Sequence, residues 1–348
     1  MKLLIITQVV DRNDHVLGFF HRWIEEFAKQ CEAVTVICLR EGEHRLPGNV
    51  RVLSLGKERG RSRISYVASF YTHLFRERKN YDAVFVHMNQ EYVLLGGLPW
   101  RLMGKKILFW RNHHAGSPAT RLAMALSNVL LCTSRYSFTA GTSKTALMPV
   151  GIDTDAFKRD PSVARTQNAI LSLGRIAPVK KIDRMLEAFR ALRSEGVEFT
   201  ADIYGDPLPA DASYAASLKE STQAYGLESR VRFFAGVQNA EAPRLYNAHD
   251  IFINASSSGM YDKTIFEAMA CESLVLVSNR NLEGEIDPRF LFREGDPANL
   301  AGKLKRLSAL SGEERRACGM LLRTYAVERH GLRQLAERVC ALAAGKKL

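Results

Sequence analysis

The residues whose types and spacing hold the most chemistry lie in Ser258-Gly259-Met260-Tyr261-Asp262-Lys263-Thr264-Ile265-Phe266-Glu267-Ala268-Met269-Ala270-Cys271, between the apolar runs Ile251-Phe252-Ile253-Asn254 and Leu274-Val275-Leu276-Val277. Short apolar runs bounded by turn residues suit strands buried on both faces of a parallel sheet, and Ile265, Phe266, Met269 and Ala270 have helical spacing. The stretch therefore reads as strand, polar loop, helix, strand, with the helix start at the carboxyl edge of a sheet. Backbone N–H groups and the positive end of the helix dipole collect at such a point, so an anion such as a diphosphate is a natural ligand. Gly259, Met260, Tyr261, Asp262, Lys263 and Thr264 are then the candidate ligand loop. Glu267, one turn into the helix, is a candidate acceptor for neutral hydroxyls such as those of a ribose. An ordinary βαβ turn with Glu267 solvated fits the same pattern.

A second strand-turn-helix stands far upstream, in Leu171-Ser172-Leu173-Gly174-Arg175-Ile176-Ala177-Pro178-Val179-Lys180-Lys181-Ile182-Asp183. Arg175 and Lys180 precede a helix start, where the dipole disfavours cations, and that awkwardness points to an anion between them. Arg suits bidentate contact with phosphate and Lys supplies a point charge, an arrangement that needs no divalent metal.

Together the two stretches resemble the retaining glycosyltransferases of family 4, with the two-domain GT-B fold. In that family an apolar strand ends in Gly-Arg, a Lys follows five residues after the Arg, and a later Glu-Ala-Met-Ala-Cys helix carries a ribose-binding Glu; Gly174, Arg175, Lys180 and Glu267 match. Met148-Pro149-Val150-Gly151-Ile152-Asp153-Thr154-Asp155-Ala156-Phe157 looks like the family's hinge segment. The resemblance implies that Arg175 and Lys180 stabilise the departing diphosphate, with fixed cations aimed where charge develops. It also implies substitution on one face of the sugar, assisted by the leaving phosphate, with no protein nucleophile. The family's second carboxylate, eight positions before Glu267, is absent because that position is Gly259; Asp262, in the same loop, is the candidate to replace it.

Further positions follow from the resemblance. Trp110-Arg111-Asn112-His113 fits an aromatic residue followed by a sugar-contacting His at a strand's carboxyl end, which makes His113 a candidate catalytic residue. Tyr204-Gly205-Asp206-Pro207 resembles the family's Gly-Asp-Gly-Pro turn and places Gly205 and Asp206 at the site's edge. Phe234-Ala235-Gly236-Val237-Gln238 falls where relatives hold the nucleobase, with Val237 the candidate contact. The first turn, Asp11 to Gly18, keeps only Gly18 where relatives carry adjacent glycines, and His15 is either a site residue or a surface-loop His.

The elements that must position these residues alternate along the chain. Strand candidates are Leu3 to Val10, Val34 to Leu39, Val50 to Leu55, Asp82 to Met88, Lys106 to Trp110, Val129 to Thr133 and Ala146 to Val150. A second group is Ala169 to Leu173, Phe199 to Tyr204, Val231 to Phe234, Ile251 to Asn254 and Leu274 to Val277. Phe19, Phe20, Trp23, Ile24 and Phe27 mark one amphipathic helix and Ile182, Met185, Leu186 and Phe189 another. Strand and helix in alternation imply α/β architecture with parallel sheets covered on both faces. The resemblance makes this GT-B: two Rossmann-like, doubly wound domains facing a central cleft. Residues 1–153 are expected to bind acceptor and 154–326 nucleotide sugar, while 327–348 form a helix crossing back to the first domain.

The chain's 348 residues are ample for two cores, and 46% hydrophobic with 25% charged residues is ordinary soluble composition. No run approaches the ~20 apolar residues of a membrane span, and Met1 leads directly into a strand pattern. Six scattered cysteines without paired spacing suit buried thiols in a reducing compartment, so the cytoplasm is expected. No metal-ligand cluster, nucleophile triad or Walker loop is present, and neither is an aromatic-basic nucleic-acid module.

Charge is uneven. Residues 1–150 hold 21 Lys and Arg against 11 Asp and Glu, and the remainder holds 28 against 26. Arg59, Arg61, Arg63, Arg76, Arg78 and Lys79 bracket an amphipathic segment whose apolar residues Ile64, Val67, Phe70, Tyr71, Leu74 and Phe75 are expected to face the core. Such a bracket suits peripheral contact with an anionic membrane surface. The expected activity is transfer of a sugar from a UDP- or GDP-linked donor, with no further cofactor, to a glycan or lipid-linked acceptor, as in cell-surface polysaccharide or glycolipid synthesis. A sugar-nucleotide epimerase, a phosphorylase or an inactive scaffold on the same fold remain as alternatives.

Overall fold

The computed structural model describes every residue except His15, Ser257, Ser258, Lys347 and Leu348. Of the residues singled out above, His15 and Ser258 thus lie outside the described residues. The chain forms two units, Met1–Gly151 with Leu332–Leu348, and Ile152–Gly331.

The first unit begins β1 (Lys2–Val10), α1 (Phe19–Gln30), β2 (Ala33–Glu41), β3 (Val50–Ser54), α2 (Arg63–Arg76) and β4 (Ala83–His87). It continues α3 (Gln90–Leu102), β5 (Lys106–Trp110), α4 (Pro118–Leu126), β6 (Val129–Cys132) and β7 (Thr145–Leu147). Its parallel sheet has the order β3-β2-β1-β4-β5-β6-β7. Apolar residues on each face of the sheet need their own cover, and two separate cores supply it. On one face Phe20, Trp23 and Phe27 of α1 pack with Leu335, Ala336 and Val339 near the chain's end; on the other lie Phe70, Leu74, Tyr92, Trp100 and Ala123 of α2, α3 and α4.

The expectation for α2 is corrected in part. Phe70 and Leu74 are fully buried, but Ile64 is 83% exposed and Phe75 46%, so part of the apolar stripe faces outward. The helix reaches the sheet through one narrow edge, and Tyr71 anchors it by donating its hydroxyl to Leu95 O of α3 at 3.1 Å.

The second unit contains β8 (Thr166–Leu173), α5 (Ile182–Ser194), β9 (Thr200–Tyr204), α6 (Ala212–Ala224), β10 (Val231–Phe234) and α7 (Ala242–Ala248). After them come β11 (His249–Asn254), α8 (Lys263–Ala270), β12 (Leu274–Val277), α9 (Pro297–Ser308) and α10 (Gly312–His330). The strands, again all parallel, run β10-β9-β8-β11-β12. The last helix, α11 (Leu332–Ala343), belongs to the first unit. Gly151, at the junction, has φ +78°, and a Cβ there would lie 2.5 Å from Leu335 and 2.8 Å from Trp23. Trp23 Nε1 donates to Gly151 O at 3.1 Å. All six cysteines are buried free thiols, and the Sγ atoms of Cys31 and Cys340 lie 3.6 Å apart between α1 and α11. Among the described residues no helix is long and apolar enough to cross a membrane.

Candidate active site

β8 and β11 are neighbours in the second sheet, yet the chain leaves them in opposite directions, β8 toward β9 and β11 toward β12. Their carboxyl ends therefore diverge and leave a crevice, the usual ligand position in an open α/β sheet. The Gly174–Lys180 turn follows one strand and the loop before α8 follows the other. Two glycines make the crowding possible: a Cβ on Gly205, after β9, would lie 1.9 Å from Gly174 O. Only hydrogen fits there.

The side chain of Lys180 lies back over this glycine, 3.6 Å (Cε) and 3.7 Å (Nζ) from where a Gly174 Cβ would stand. Its ammonium forms an ion pair with Asp262 Oδ2 at the start of α8. The same oxygen accepts from Asn254 Nδ2 at 2.9 Å and from Ser256 Oγ at 3.5 Å. Burial works against ionisation of Asp262, but Lys180, Asn254 and Thr264 outweigh it and hold the carboxyl below its usual range. Arg175, on the same turn, is exposed. The crevice thus holds one paired cation, one exposed cation and a helix N-terminus.

One turn into α8, Glu267 is 5% exposed and accepts from Tyr246 Oη at 3.0 Å (Oε2) and from Asn239 Nδ2 at 3.4 Å (Oε1). Burial raises its pKa despite Lys263, one helical turn away, and despite both donors. Burial likewise lowers the pKa of Lys263, against the attraction of Glu267 and Asp153. Each carboxylate oxygen retains acceptor capacity, as binding of ribose hydroxyls requires. Thr264, half-buried, offers Oγ1 to Asn254 Nδ2 at 3.5 Å.

In the loop itself Gly259 has φ +66°, a left-handed conformation suited to glycine. The carbonyls of Gly259 and Met260 accept from Asn281 Nδ2 and Asn279 Nδ2, each at 2.7 Å, and Tyr261 Oη donates to Asn281 O at 3.2 Å. At the crevice's edge Asp206 Oδ2 accepts from Gly236 N at 3.1 Å, which joins the turns after β9 and β10, and Val237 follows, half-buried. Beside them Tyr204 and Phe234 stack at 4.6 Å, with Phe234 partly exposed.

The first unit holds the two remaining predicted residues. His113, after β5, is exposed; its Nδ1 lies 3.0 Å from both Ala115 N and Ala115 O, and its ring stacks on His114 at 4.7 Å. Gly18 caps α1, and a Cβ there would lie 2.6 Å from Asp14 O and 2.9 Å from Arg12 O, so the residue serves packing of its own turn. The structure brings Gly174, Lys180, Asp262 and Thr264 together around Asn254, and Glu267 with Lys263 one turn deeper. It ties Gly205 to Gly174 and Asp206 to Gly236.

Sequence reasoning missed Asn239, Tyr246, Asn254, Asn279 and Asn281, which hold the predicted residues. Only their positions after strands or on a buried helix face hint at this. Among the described residues no three His, Cys, Asp or Glu side chains group as metal ligands.

Two doubly wound parallel-sheet units, one with a cationic turn and a helix start at its switch point, define the GT-B class of fold. The family description "Glycosyl transferases group 1" matches residues 153–320, and "Glycosyl transferase 4-like" matches residues 8–118. The chain belongs to these family-4-like, group 1 glycosyltransferases. It is 29% identical over 112 residues to mannosylfructose-phosphate synthase of Agrobacterium fabrum (strain C58 / ATCC 33970), a match covering 31% of this chain and 25% of that protein. The chain thus matches about a quarter of that relative's length. Among solved structures, Anabaena Alr3699/HepE in complex with UDP has a TM-score of 0.79 at 19% identity, covering 99% of this chain and 100% of that one. WaaG, a glycosyltransferase involved in lipopolysaccharide biosynthesis, has a TM-score of 0.69 at 16% identity, covering 99% and 100%.

Proposed function

We propose that this chain is a retaining glycosyltransferase that moves a sugar from a nucleotide-diphosphate sugar to a glycan or lipid-linked acceptor. The observation that carries the reading is the meeting of the Gly174–Lys180 turn with the start of α8 at the switch point, with Glu267 one turn deeper. As the bond between sugar C1 and the diphosphate oxygen breaks, negative charge grows on the diphosphate. Lys180, Arg175 and the N-terminus of α8 stabilise it there. The acceptor oxygen bonds to C1 on the face that the diphosphate leaves, and its proton passes to the departing phosphate. The chain's own cations do the work of a divalent metal, and no other cofactor takes part. Glu267 binds the ribose hydroxyls, residues 234–238 lie beside the base, and His113 contacts the transferred sugar. UDP is the leading donor nucleotide, in keeping with the UDP complex of the Anabaena protein; GDP is the other.

The test is a donor screen: binding and product formation with UDP-, GDP- and ADP-sugars, with chelator added in parallel. Tight binding and transfer with one of them is expected. Binding of none would overturn the reading.

We further propose that the first unit works at the cytoplasmic face of an anionic membrane, in glycolipid or cell-surface polysaccharide synthesis. Exposed Ile64, Phe75, Leu98 and Leu102 of α2 and α3 are accompanied by exposed Arg61, Arg63, Arg76, Arg78 and Lys79. Apolar side chains with a basic bracket are the composition of a surface that adsorbs to anionic lipid.

A further inference from the structure

Beyond the residues already assigned, a pair of asparagines carries no role in the proposed chemistry, yet it holds the loop on which that chemistry depends. Asn279 and Asn281 follow β12 and are 4% and 2% exposed. A buried amide is costly unless its donors and acceptor are engaged. Asn281 Nδ2 donates to Gly259 O (2.7 Å) and to Asn279 Oδ1 (2.9 Å), and Asn279 Oδ1 also accepts from Asn281 N (3.0 Å). Asn279 Nδ2 donates to Met260 O at 2.7 Å, and Tyr261 Oη closes the circuit on Asn281 O at 3.2 Å. The carbonyl partners fix which way each amide faces, since an amide oxygen turned toward them would meet a second acceptor.

Two successive loop carbonyls are therefore pulled toward the segment after β12. In a trans peptide the N–H of the next residue points opposite to the carbonyl, and the described residues contain no cis bond. The Met260 and Tyr261 N–H groups must then point away from the asparagines. Gly259, with φ +66°, has no side chain to contribute to holding the loop. A residue with both a donor and an acceptor on a short, stiff stem is needed from outside, and asparagine is that residue.

We propose that Asn279 and Asn281 are positioning residues of the donor site, setting the peptides of Gly259 and Met260 so that the following N–H groups meet a bound diphosphate. The inference rests on the donor-site reading above, and its test separates the two. UDP, GDP and ADP are titrated against wild type, Asn281→Asp and Asn279→Ala, at a temperature well below each protein's unfolding transition. Asn281→Asp keeps the shape but sets a carboxylate against a carbonyl; Asn279→Ala removes one donor without adding charge. The expected result is diphosphate affinity weakened by at least about tenfold in a folded variant, the size of one misplaced hydrogen bond to a charged ligand. If wild type binds none of the three, the donor-site reading itself is wrong. If wild type binds and a folded variant binds within about twofold of it, the positioning role is overturned while the donor site stands. Failure of both variants to fold would assign the pair to stability alone and overturn the role as well.

Discussion

Lys180 and Asp262, 82 residues apart in the chain, form an ion pair that joins the turn after β8 to the start of α8. The cation proposed to meet the diphosphate is thus already held by a carboxylate, which in turn is held by Asn254. An ammonium kept over Gly174 needs no reorganisation when an anion arrives, and preorganised charge is what lowers a barrier.

Replacement of either cation should slow the reaction. Arg175→Ala and Lys180→Ala are each expected to lower turnover by at least roughly tenfold with an intact fold, since each removes charge stabilisation of the leaving group. Steady-state kinetics with the donor found by the screen, checked by circular dichroism, measures this. Chelator should leave the wild-type rate unchanged.

Asp262→Ala is expected to harm the chemical step more than nucleotide binding, because it removes both the loop's carboxylate and the partner that fixes Lys180. Single-turnover rates should fall by at least about tenfold, with nucleotide affinity reduced far less. A variant that loses affinity but keeps its single-turnover rate would show that Asp262 serves binding alone.

Burial gives nucleotide affinity a pH dependence. Glu267 has a raised pKa in the folded chain, so the fold holds its proton more tightly than the unfolded chain does. The ionised acceptor is then lost, as pH falls, above the ordinary carboxylate pKa of about 4.3. Affinity measured by titration calorimetry should decline on that acid limb, and Glu267→Gln should flatten it. Asp262 shifts the other way, so the stability from its pair is present at neutral pH and lost only as pH falls through the lowered pKa.

Gly205→Ala should be among the most damaging small substitutions. Its methyl would stand 1.9 Å from Gly174 O, a backbone atom that cannot swing aside. A cost of about 2 kcal/mol or more is expected, seen as a lower thermal midpoint, together with lost activity as the turn carrying Arg175 shifts.

Much of this was legible in the sequence, and the parts that were not share a physical cause. β5 and β12 are short apolar runs in fully covered sheets, and their ends were read correctly. α3 escaped because Gln90–Leu102 contains Gly96, Gly97 and Pro99, which erase helical periodicity. Gly96 is needed there because a Cβ would lie 2.4 Å from the Trp100 ring. Glu267 was singled out from its place one turn into the helix, Lys180 from the family resemblance, and Asp262 from sharing the loop with Gly259. Their partners were not, because Tyr246 stands 21 residues and Asn239 28 residues from Glu267, and no spacing rule links them. The outward turn of Ile64 and Phe75 was missed for a similar reason: an apolar stripe does not reveal how much of it a neighbour covers.

The exposed stripe makes adsorption testable. Wild type should sediment with anionic vesicles at low salt and less at high salt, while a variant with Arg59, Arg61 and Arg63 changed to Ser should bind more weakly, at about 1 kcal/mol per cation lost near the surface. Equal binding to anionic and neutral vesicles, or none to either, would favour a soluble acceptor.

The place of α11 has a consequence for how the chain is made. Leu335, Ala336 and Val339 fill the same core as Phe20, Trp23 and Phe27, yet some three hundred residues separate the two groups in synthesis. At about 5–20 residues per second, the ribosome leaves that aromatic face of α1 without its cover while the whole second unit emerges. The first unit is begun first and finished last. Its exposed interval lasts as long as translation of everything between, so slowing elongation over residues 152–331 should lengthen the time in which chaperones can bind the nascent chain at α1.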